Sequence, residues 1–370
     1  MVKAFDKWLL PWLWQCMRRS KAPVTDVMVA VCDHFEPFHH SDKDGAMRRM
    51  KAWHDSLPAI TEASRDHDGC GPRHTFFYPI EQYDADVIQS LALLCENTRN
   101  EVEVHLHHEN DTAENLMRTL DQGKADLRRH GLLGANAGGG AAFGFIHGNW
   151  ALDDSDPAGR GCGVRGELAL LKQAGCYADF TMPSAPHRTQ TPIVNQLYYS
   201  HSGSLGCSHH QGIRVSAIDS ASQGFRSKDD WLLLVQGPLG LDWKRRKWGL
   251  LPRVENSDLT SANPPTVQRM AGWTNAGISV AGAEGWRFVK LHTHGGPERN
   301  HAALIGDVRR RFHQDLTALA ARSGFRLHYV SAREMVNILH AAEDGKGGGD
   351  AGAWRDYLYT PPLCLQKTDA

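Results

Sequence analysis

The chain has 370 residues, a formal net charge of −1 and a hydrophobic fraction of 41%. A chain of this length can form one large α/β domain or two smaller ones with an ample core, and its mixed, near-neutral charge gives no sign of a nucleic-acid partner. Its eight cysteines are scattered without a CxxC pair, which indicates reduced thiols and predicts a cytoplasmic protein.

The first 22 residues predict an amphipathic N-terminal helix. Their apolar run from Trp8 to Trp14 is far shorter than the roughly 20 residues that span a bilayer. We expect this helix to pack on the domain. A second interpretation stays open, in which its tryptophans and the neighbouring Arg18 and Arg19 lie flat against a membrane surface as a peripheral contact.

Residues 23–342 alternate between strand and helix patterns, which predicts a parallel sheet, open or closed into a barrel. The first strand is continuously apolar, as in strands buried on both faces of such a sheet. The strands that matter for the site are TDVMVAVCDHFEP (25–37), EVEVHLHH (101–108), AAFGFIHG (141–148) and WRFVKLHTHG (286–295).

Two regions break this alternation. Residues 199–285 contain short strand-like pieces and turns, and we expect them to form a mixed α/β insertion packed on the main domain. Residues 343–370 begin with the glycine-rich run EDGKGGGDAGA, whose composition predicts a flexible C-terminal tail.

Histidines and carboxylates gather where the predicted strands end. In parallel α/β folds this edge of the sheet carries the site, because the loops there converge. Chance would also scatter histidines over helices and loops, so their concentration at strand ends favours a metal or catalytic role. The four strand ends carry Asp33, His34 and Glu36; His105, His107, His108 and Glu109; His147, Asn149 and Trp150; and His292 with His294.

The pair His105 and His107 predicts a metal site. Residues two apart on a strand point to one face, so both imidazoles can approach one ion, with a carboxylate from a neighbouring strand. Zinc and related divalent metals accept such nitrogen and oxygen ligands. If the strand ends earlier, His108 or Glu109 could be the second ligand instead, and the spacing leaves this open.

The order of these motifs resembles the polysaccharide deacetylases, the NodB-homology or carbohydrate esterase family 4 group. VAVCDHFEP looks like the family's first acidic strand, EVEVHLHHEND like its metal-binding strand, and FVKLHTHGG like its late catalytic-histidine strand. The resemblance implies a deformed (β/α) barrel of the glycoside hydrolase and deacetylase type. It also implies a divalent metal cofactor, expected to be Zn²⁺.

The resemblance implies roles for individual residues. Either Asp33 is the metal carboxylate, or it is the catalytic base and His34 is a ligand; His105, His107 and His108 are the other expected ligands. Glu36 is an alternative base. The expected catalytic acid is His292, with His294 as the substitute. The expected substrate-binding residues are His147, Asn149 as an oxyanion donor, Trp150 stacked on a sugar ring, and Arg188 for an anionic group.

The sequence therefore predicts a metal-dependent hydrolase that removes an acyl group from an N-acylated sugar or polysaccharide. One alternative is a catalytically degenerate barrel that binds a glycan or a partner without turnover. Others are a metal-dependent amidohydrolase or phosphoesterase, and a glycosidase that uses Asp33 and Glu36 as its carboxylate pair.

Overall fold

The computed structural model describes residues 4–366, apart from the side chains of residues 220 and 221. The strands are β1 (Asp26–His34), β2 (Thr75–Pro79), β3 (Glu101–Leu106), β4 (Gly134–Ala135), β5 (Ala141–His147), β6 (Cys176–Asp179), β7 (Leu197–His201), β8 (Ile213–Arg214), β9 (Trp231–Val235), β10 (Gly240–Lys247), β11 (Leu251–Glu255), β12 (Asp258–Leu259), β13 (Trp286–Thr293) and β14 (Arg326–Tyr329). The helices are α1 (Phe5–Met17), α2 (Lys43–Glu62), α3 (Ala85–Thr98), α4 (Ala113–Arg129), α5 (Glu167–Gln173), α6 (Ser220–Arg226), α7 (Val267–Asn275), α8 (His301–Leu304), α9 (Asp307–Ser323), α10 (Ala332–Ala341) and α11 (Leu363–Gln366).

The central sheet has the strand order β12-β13-β1-β2-β3-β5-β6-β9-β7-β8. Neighbours from β12 to β9 run parallel, and β7 and β8 add antiparallel pairs at one edge. The predicted mixed α/β fold with a mostly parallel sheet is therefore confirmed. Over residues 4–366 no strand ladder joins β8 or β9 back to β13, so closure into a barrel stays a prediction.

Strand β1 lies at the centre of this sheet and is buried along its whole length. Val27, Val29 and Val31 belong to the core on the side of α2 and α3, whereas Met28 and Cys32 belong to a separate core on the other face. This alternation follows from the two-residue period of a strand. Because the period continues to the end of β1, its last two residues also point to opposite faces.

The expected insertion is part of the main sheet. β9 pairs with β6 and β7 pairs with β9, while β10 and β11 form a separate antiparallel hairpin. The sequence interpretation of residues 199–285 as a unit packed on the domain therefore differs from the structure, because the apolar strand at 231–235 is buried within the sheet.

Residues 343–366 of the expected flexible tail contact the domain, and residues 367–370 lie outside the described residues. Arg355 Nη2 lies 3.0 Å from Asp66 Oδ2, and the Tyr359 carbonyl accepts hydrogen bonds from Arg333 and Asn337. Arg355 also donates a hydrogen bond to the Tyr329 carbonyl on β14, so the residues after the glycine-rich run bind β14 and α10, which their composition did not predict.

Helix α1 lies within the predicted N-terminal segment. Trp8 is fully buried and shares a small apolar cluster with Val194 and Leu239. No helix in the described part of the chain is both long and apolar enough to cross a membrane. Contact with a membrane surface stays a prediction.

A buried histidine between two carboxylates joins β14 to β1. His328 Nε2 lies 2.9 Å from Asp26 Oδ1, and its Nδ1 lies 2.8 Å from Asp68 Oδ2. Burial would lower the pKa of His328, but the two carboxylates raise it overall to about 9. Since its ordinary value is 6.5, this contribution to stability is fully present below pH 6.5 and is lost as the pH rises through 9.

We expect His328→Asn to lower the free energy of unfolding by about 2 kcal/mol at pH 6.5, because the charged pairs are lost. Urea unfolding at about pH 6.5 and about pH 9 checks this. The wild type should lose stability between the two pH values, and the variant should lose much less. The exposed His40 provides the control, since His40→Asn leaves both carboxylate pairs of His328 in place. An equal fall in the free energy of unfolding between the two pH values in wild type and His328→Asn would contradict this role of His328.

Candidate metal centre

Histidine rings meet at the edge of the sheet where β1, β3 and β13 end. The ring centroid of His34 lies 4.9 Å from that of His105, 4.6 Å from that of His294 and 6.2 Å from that of His292. The indole of Trp150, from the loop after β5, lies 4.9 Å from His34. The structure therefore brings together residues from all four predicted strand ends.

Within this arrangement, His34, Glu36 and His105 could hold a metal ion. One ligand atom of each lies within 4.8 Å of the others. The two histidines are fully buried, and the side chain of Glu36 is 12% exposed. We call these three residues the His34 group.

The hydrogen bonds of His105 decide which of its nitrogens is free. Its Nδ1 lies 2.9 Å from the Ile146 carbonyl oxygen, and a carbonyl can only accept, so Nδ1 carries the proton. In the neutral ring, Nε2 then presents a lone pair that faces Glu36 Oε1 at 3.5 Å. This buried Nε2 has no hydrogen-bond partner among the described residues. Two acceptors that face each other in a buried site repel, and a cation between them removes the repulsion.

His34 offers a second free imidazole. Neither of its ring nitrogens has a hydrogen-bond partner within residues 4–366. Burial, together with His294 and His105, holds the pKa of His34 well below its usual range, so the ring is neutral and keeps a lone pair. Burial would raise the pKa of Glu36, but the neighbouring histidine rings lower it overall, so Glu36 is ionised. Two imidazole rings and one carboxylate are a ligand set that suits zinc and similar divalent metals.

His107 contacts this group from the side, as a cation. Its Nδ1 lies 2.7 Å from Glu81 Oε1, and its Nε2 lies 3.6 Å from Glu36 Oε1. Burial would lower the pKa of His107, but the two carboxylates raise it to about 9. A protonated ring has no lone pair for a metal. The structure therefore assigns His107 to holding Glu36 in place, which differs from the ligand role expected from the sequence.

Asp33 points to the opposite face of β1 from His34, because side chains alternate along a strand. Its Oδ2 accepts a hydrogen bond from His74 Nε2 at 2.9 Å, and its Oδ1 accepts one from the Gly295 backbone N–H at 2.5 Å. Burial raises the pKa of Asp33 to about 7. The structure does not bring Asp33 into the His34 group as a ligand or base. It instead fixes the backbone beside His294.

A second set of residues, His108, His147, Cys162 and Glu167, also brings its ligand atoms within 4.8 Å of one another. Both nitrogens of His108 face carboxylates: Nε2 lies 3.1 Å from Glu167 Oε1, and Nδ1 lies 3.1 Å from Asp111 Oδ2. Burial would lower the pKa of His108, but these carboxylates raise it overall. The protonated form is thus favoured, and it offers no lone pair.

The hydrogen bonds of His147 also argue against a metal in this second set. Its Nδ1 accepts a hydrogen bond from the Asn149 backbone N–H at 3.2 Å. In a neutral ring the proton is then on Nε2, which faces Glu167 Oε1 at 3.9 Å. We interpret the second set as a network of paired charges. His147 is fully buried within this network, which differs from the substrate-binding role expected for it.

Two further expected substrate residues are already bound to protein groups. The Asn149 amide donates hydrogen bonds to the carbonyls of His108 and Gly161, so it is not free to act as an oxyanion donor. Arg188 pairs with Asp156, with its Nη2 2.9 Å from Asp156 Oδ2. Both side chains hold loops together instead of facing the His34 group.

A cleft of about 470 Å³ opens beside the histidines. Its lining includes Trp150, His292, His294, Asp258 and Thr260. Trp150 has φ +62°, a conformation that bulky residues rarely adopt and that is often found at functional sites. This backbone places the indole at the cleft, where a substrate can reach it.

His292 and His294 are neutral at the floor of this cleft. Burial lowers the pKa of both rings below the usual range. A neutral imidazole accepts a proton before it can donate one. To serve as the expected catalytic acid for the leaving amine, either ring must therefore first take up a proton.

Sequence reasoning did not include Glu36 among the metal ligands, and it missed Glu81 and Glu167. Glu36 follows His34 by two residues, the same spacing that identified the histidine pair on β3, so this signal was present in the sequence. Glu81 and Glu167 come from the segment after β2 and from α5, and only the folded chain brings them to the histidines.

No protein-family model matches this chain, and no curated protein matches it. Among solved structures, 4-alpha-glucanotransferase from Thermococcus litoralis aligns over 85% of this chain with a TM-score of 0.43 and 10% sequence identity. The alignment covers 40% of the glucanotransferase, so this chain spans less than half of that protein.

We expect Glu36→Gln to weaken Zn²⁺ binding by at least about tenfold, because the variant loses the only carboxylate of the His34 group. Asp33→Asn should leave zinc affinity nearly unchanged, since the amide oxygen can still accept from Gly295. Competition with a chromophoric chelator measures both affinities. If Asp33→Asn weakened zinc binding more than Glu36→Gln did, the assignment of Glu36 as the metal ligand would be wrong.

The number of bound ions gives a separate prediction. Wild type should bind one Zn²⁺ per chain, and Cys162→Ser should bind the same amount, because the second set is a network of paired charges. Elemental analysis after gel filtration provides the counts. A second ion in the wild type that Cys162→Ser loses would contradict this interpretation.

Proposed function

We propose that this chain is a metal-dependent hydrolase that removes an acyl group from an N-acylated sugar or polysaccharide. The observation that carries the proposal is the lone pair that neutral His105 presents to Glu36 from Nε2, beside His34, whose ring nitrogens have no hydrogen-bond partner among the described residues. The resemblance of the strand-end motifs to polysaccharide deacetylases favours an amide as the scissile bond. A deformed (β/α) barrel and Zn²⁺ as the metal are parts of the same proposal.

His34, Glu36 and His105 would hold the ion. When bound, a divalent metal polarises an amide carbonyl and lowers the pKa of water toward neutrality. His107, paired with Glu81, keeps Glu36 ionised and directed at the two imidazoles. Glu36 is thus assigned as a ligand instead of as the base.

His292 and His294 carry the proton. The attacking water forms a new bond to the carbonyl carbon and gives one proton to a neutral imidazole. The same ring, now protonated, returns that proton to the nitrogen as the carbon–nitrogen bond breaks, so the products are an acid and an amine. Asp33 contributes indirectly, because its bond to the Gly295 N–H fixes the loop that carries His294.

The cleft suits a sugar. Its volume of about 470 Å³ is within the range of small-molecule sites, roughly 300 to 1,000 Å³. Trp150 provides a flat apolar surface for one face of a sugar ring, and Asp258 and Thr260 add polar groups to the cleft lining.

We expect zinc-loaded wild-type protein to release acetate from N-acetylated oligosaccharides, and we expect His34→Ala to lower kcat/KM by a factor on the order of 100 or more. Trp150→Ala should raise KM by roughly tenfold with a smaller effect on kcat, because it removes the stacking surface. The exposed Trp243 serves as the matched control, since Trp243→Ala should leave both constants unchanged.

If no acetate is released, the same assays still discriminate between the deacetylase and the alternative functions. Protein that binds metal and oligosaccharide but releases no acetate would refute the deacetylase and favour the degenerate, glycan-binding barrel. Turnover of phosphate esters, with none of N-acetylated sugars, would favour the phosphoesterase alternative.

A further inference from the structure

Helix α1 has two different faces. Its inner face carries the buried Trp8, and Gln15 on the same side donates hydrogen bonds to the carbonyls of Asn195 and Ala276. Its outer face is apolar but unpacked. The large exposed side chains on this outer face are Leu10 (67% exposed), Leu13, Trp14 (57%) and Met17 (72%).

The hairpin of β10 and β11 exposes a second set of large apolar side chains. Trp248 at its turn is 77% exposed, and Leu250 beside it is 76% exposed; Trp243 and Leu251 are also exposed. Single exposed apolar residues are common on protein surfaces. A concentration of exposed apolar side chains on two neighbouring elements is uncommon, and it usually marks an interaction site.

The two elements are next to each other. A pocket of about 380 Å³ lies between them, lined by Trp12 and Arg19 from the α1 segment and by Trp243 and Lys244 from β10. The Trp12 indole packs against the backbone at Gly240. Helix α1 and the hairpin are therefore neighbours, and we call the outer face of α1 together with the exposed apolar side chains of the hairpin the tryptophan surface.

Basic side chains border the tryptophan surface. Arg18 lies 5.3 Å from the Trp14 ring centroid, and Lys247 lies 4.4 Å from that of Trp248, so each element places a cation over an exposed indole. Further basic residues at this surface are Arg19, Lys21, Lys244 and Arg246.

Acidic residues hardly offset these cations. Asp6 is exposed on α1, whereas Asp242 and Glu255 of the hairpin already pair with Arg245 and Arg269. The whole chain has a formal net charge of −1, whereas the α1 segment and the hairpin expose more basic than acidic side chains.

We propose that the tryptophan surface binds the headgroup region of a bilayer that contains anionic lipids. Tryptophans with apolar neighbours favour the boundary between headgroups and acyl chains, and the bordering cations are attracted to anionic headgroups. The protein lies on the bilayer through this surface, since no described helix can cross it. This inference does not depend on the reaction catalysed in the cleft.

Flotation of the full-length protein with phosphatidylcholine vesicles, with and without phosphatidylglycerol, tests the proposal. Wild type should float with the anionic vesicles, and high salt should weaken this binding. A Trp14→Ser/Trp248→Ser double variant should bind at least tenfold more weakly. An Arg18→Glu/Lys247→Glu variant should lose the preference for anionic vesicles.

Matched substitutions outside the tryptophan surface control for general effects. Leu205 and Ile218 are exposed apolar residues elsewhere, so Leu205→Ser/Ile218→Ser should bind like the wild type, as should Arg311→Glu. Wild type that stays with the unbound fraction at low salt would overturn the proposal. So would a dimer in solution that the Trp14→Ser/Trp248→Ser variant loses, because the surface would then bind a second copy of the chain.

Discussion

The account of the site depends on the hydrogen bond from His105 Nδ1 to the Ile146 carbonyl. This bond joins β3 to β5 and places the ring proton on the side away from Glu36. In the neutral ring, the opposite nitrogen then carries a lone pair and has nothing to donate to a carboxylate 3.5 Å away. A buried contact between two acceptors is unfavourable, and a bound cation makes it favourable.

The same criterion separates the two clusters of candidate ligands. In the second cluster every imidazole nitrogen that faces a carboxylate can carry a proton, because His108 lies between Asp111 and Glu167 and His147 accepts from the Asn149 N–H. The distances between ligand atoms do not distinguish the two clusters, because both meet the same 4.8 Å limit. The positions of the ring protons follow from hydrogen bonds whose direction is certain. They distinguish the His34 group, where a cation can bind, from the second cluster, where protonated His108 is already the cation.

Much of this arrangement could be predicted from the sequence, and there is a physical reason for each part that could not. The parallel sheet and the meeting of histidines at its edge follow from apolar runs that end in polar residues. The sequence interpretation used the alternating direction of side chains for β3 but not for β1. At the end of β1 this alternation places Asp33 and His34 on opposite faces, and it places Glu36, two residues further, on the side of His34. The partners of His107, Asn149 and Arg188 come from distant segments, so no local pattern could reveal that these side chains are already engaged.

The central claim is that one divalent cation binds between His34, Glu36 and His105. Crystals of the protein grown with zinc, measured on both sides of the zinc absorption edge, would locate the ion directly. The account predicts one anomalous peak within bonding distance of these three side chains. A peak among His108, His147, Cys162 and Glu167 instead, or a peak at Asp33, would contradict it.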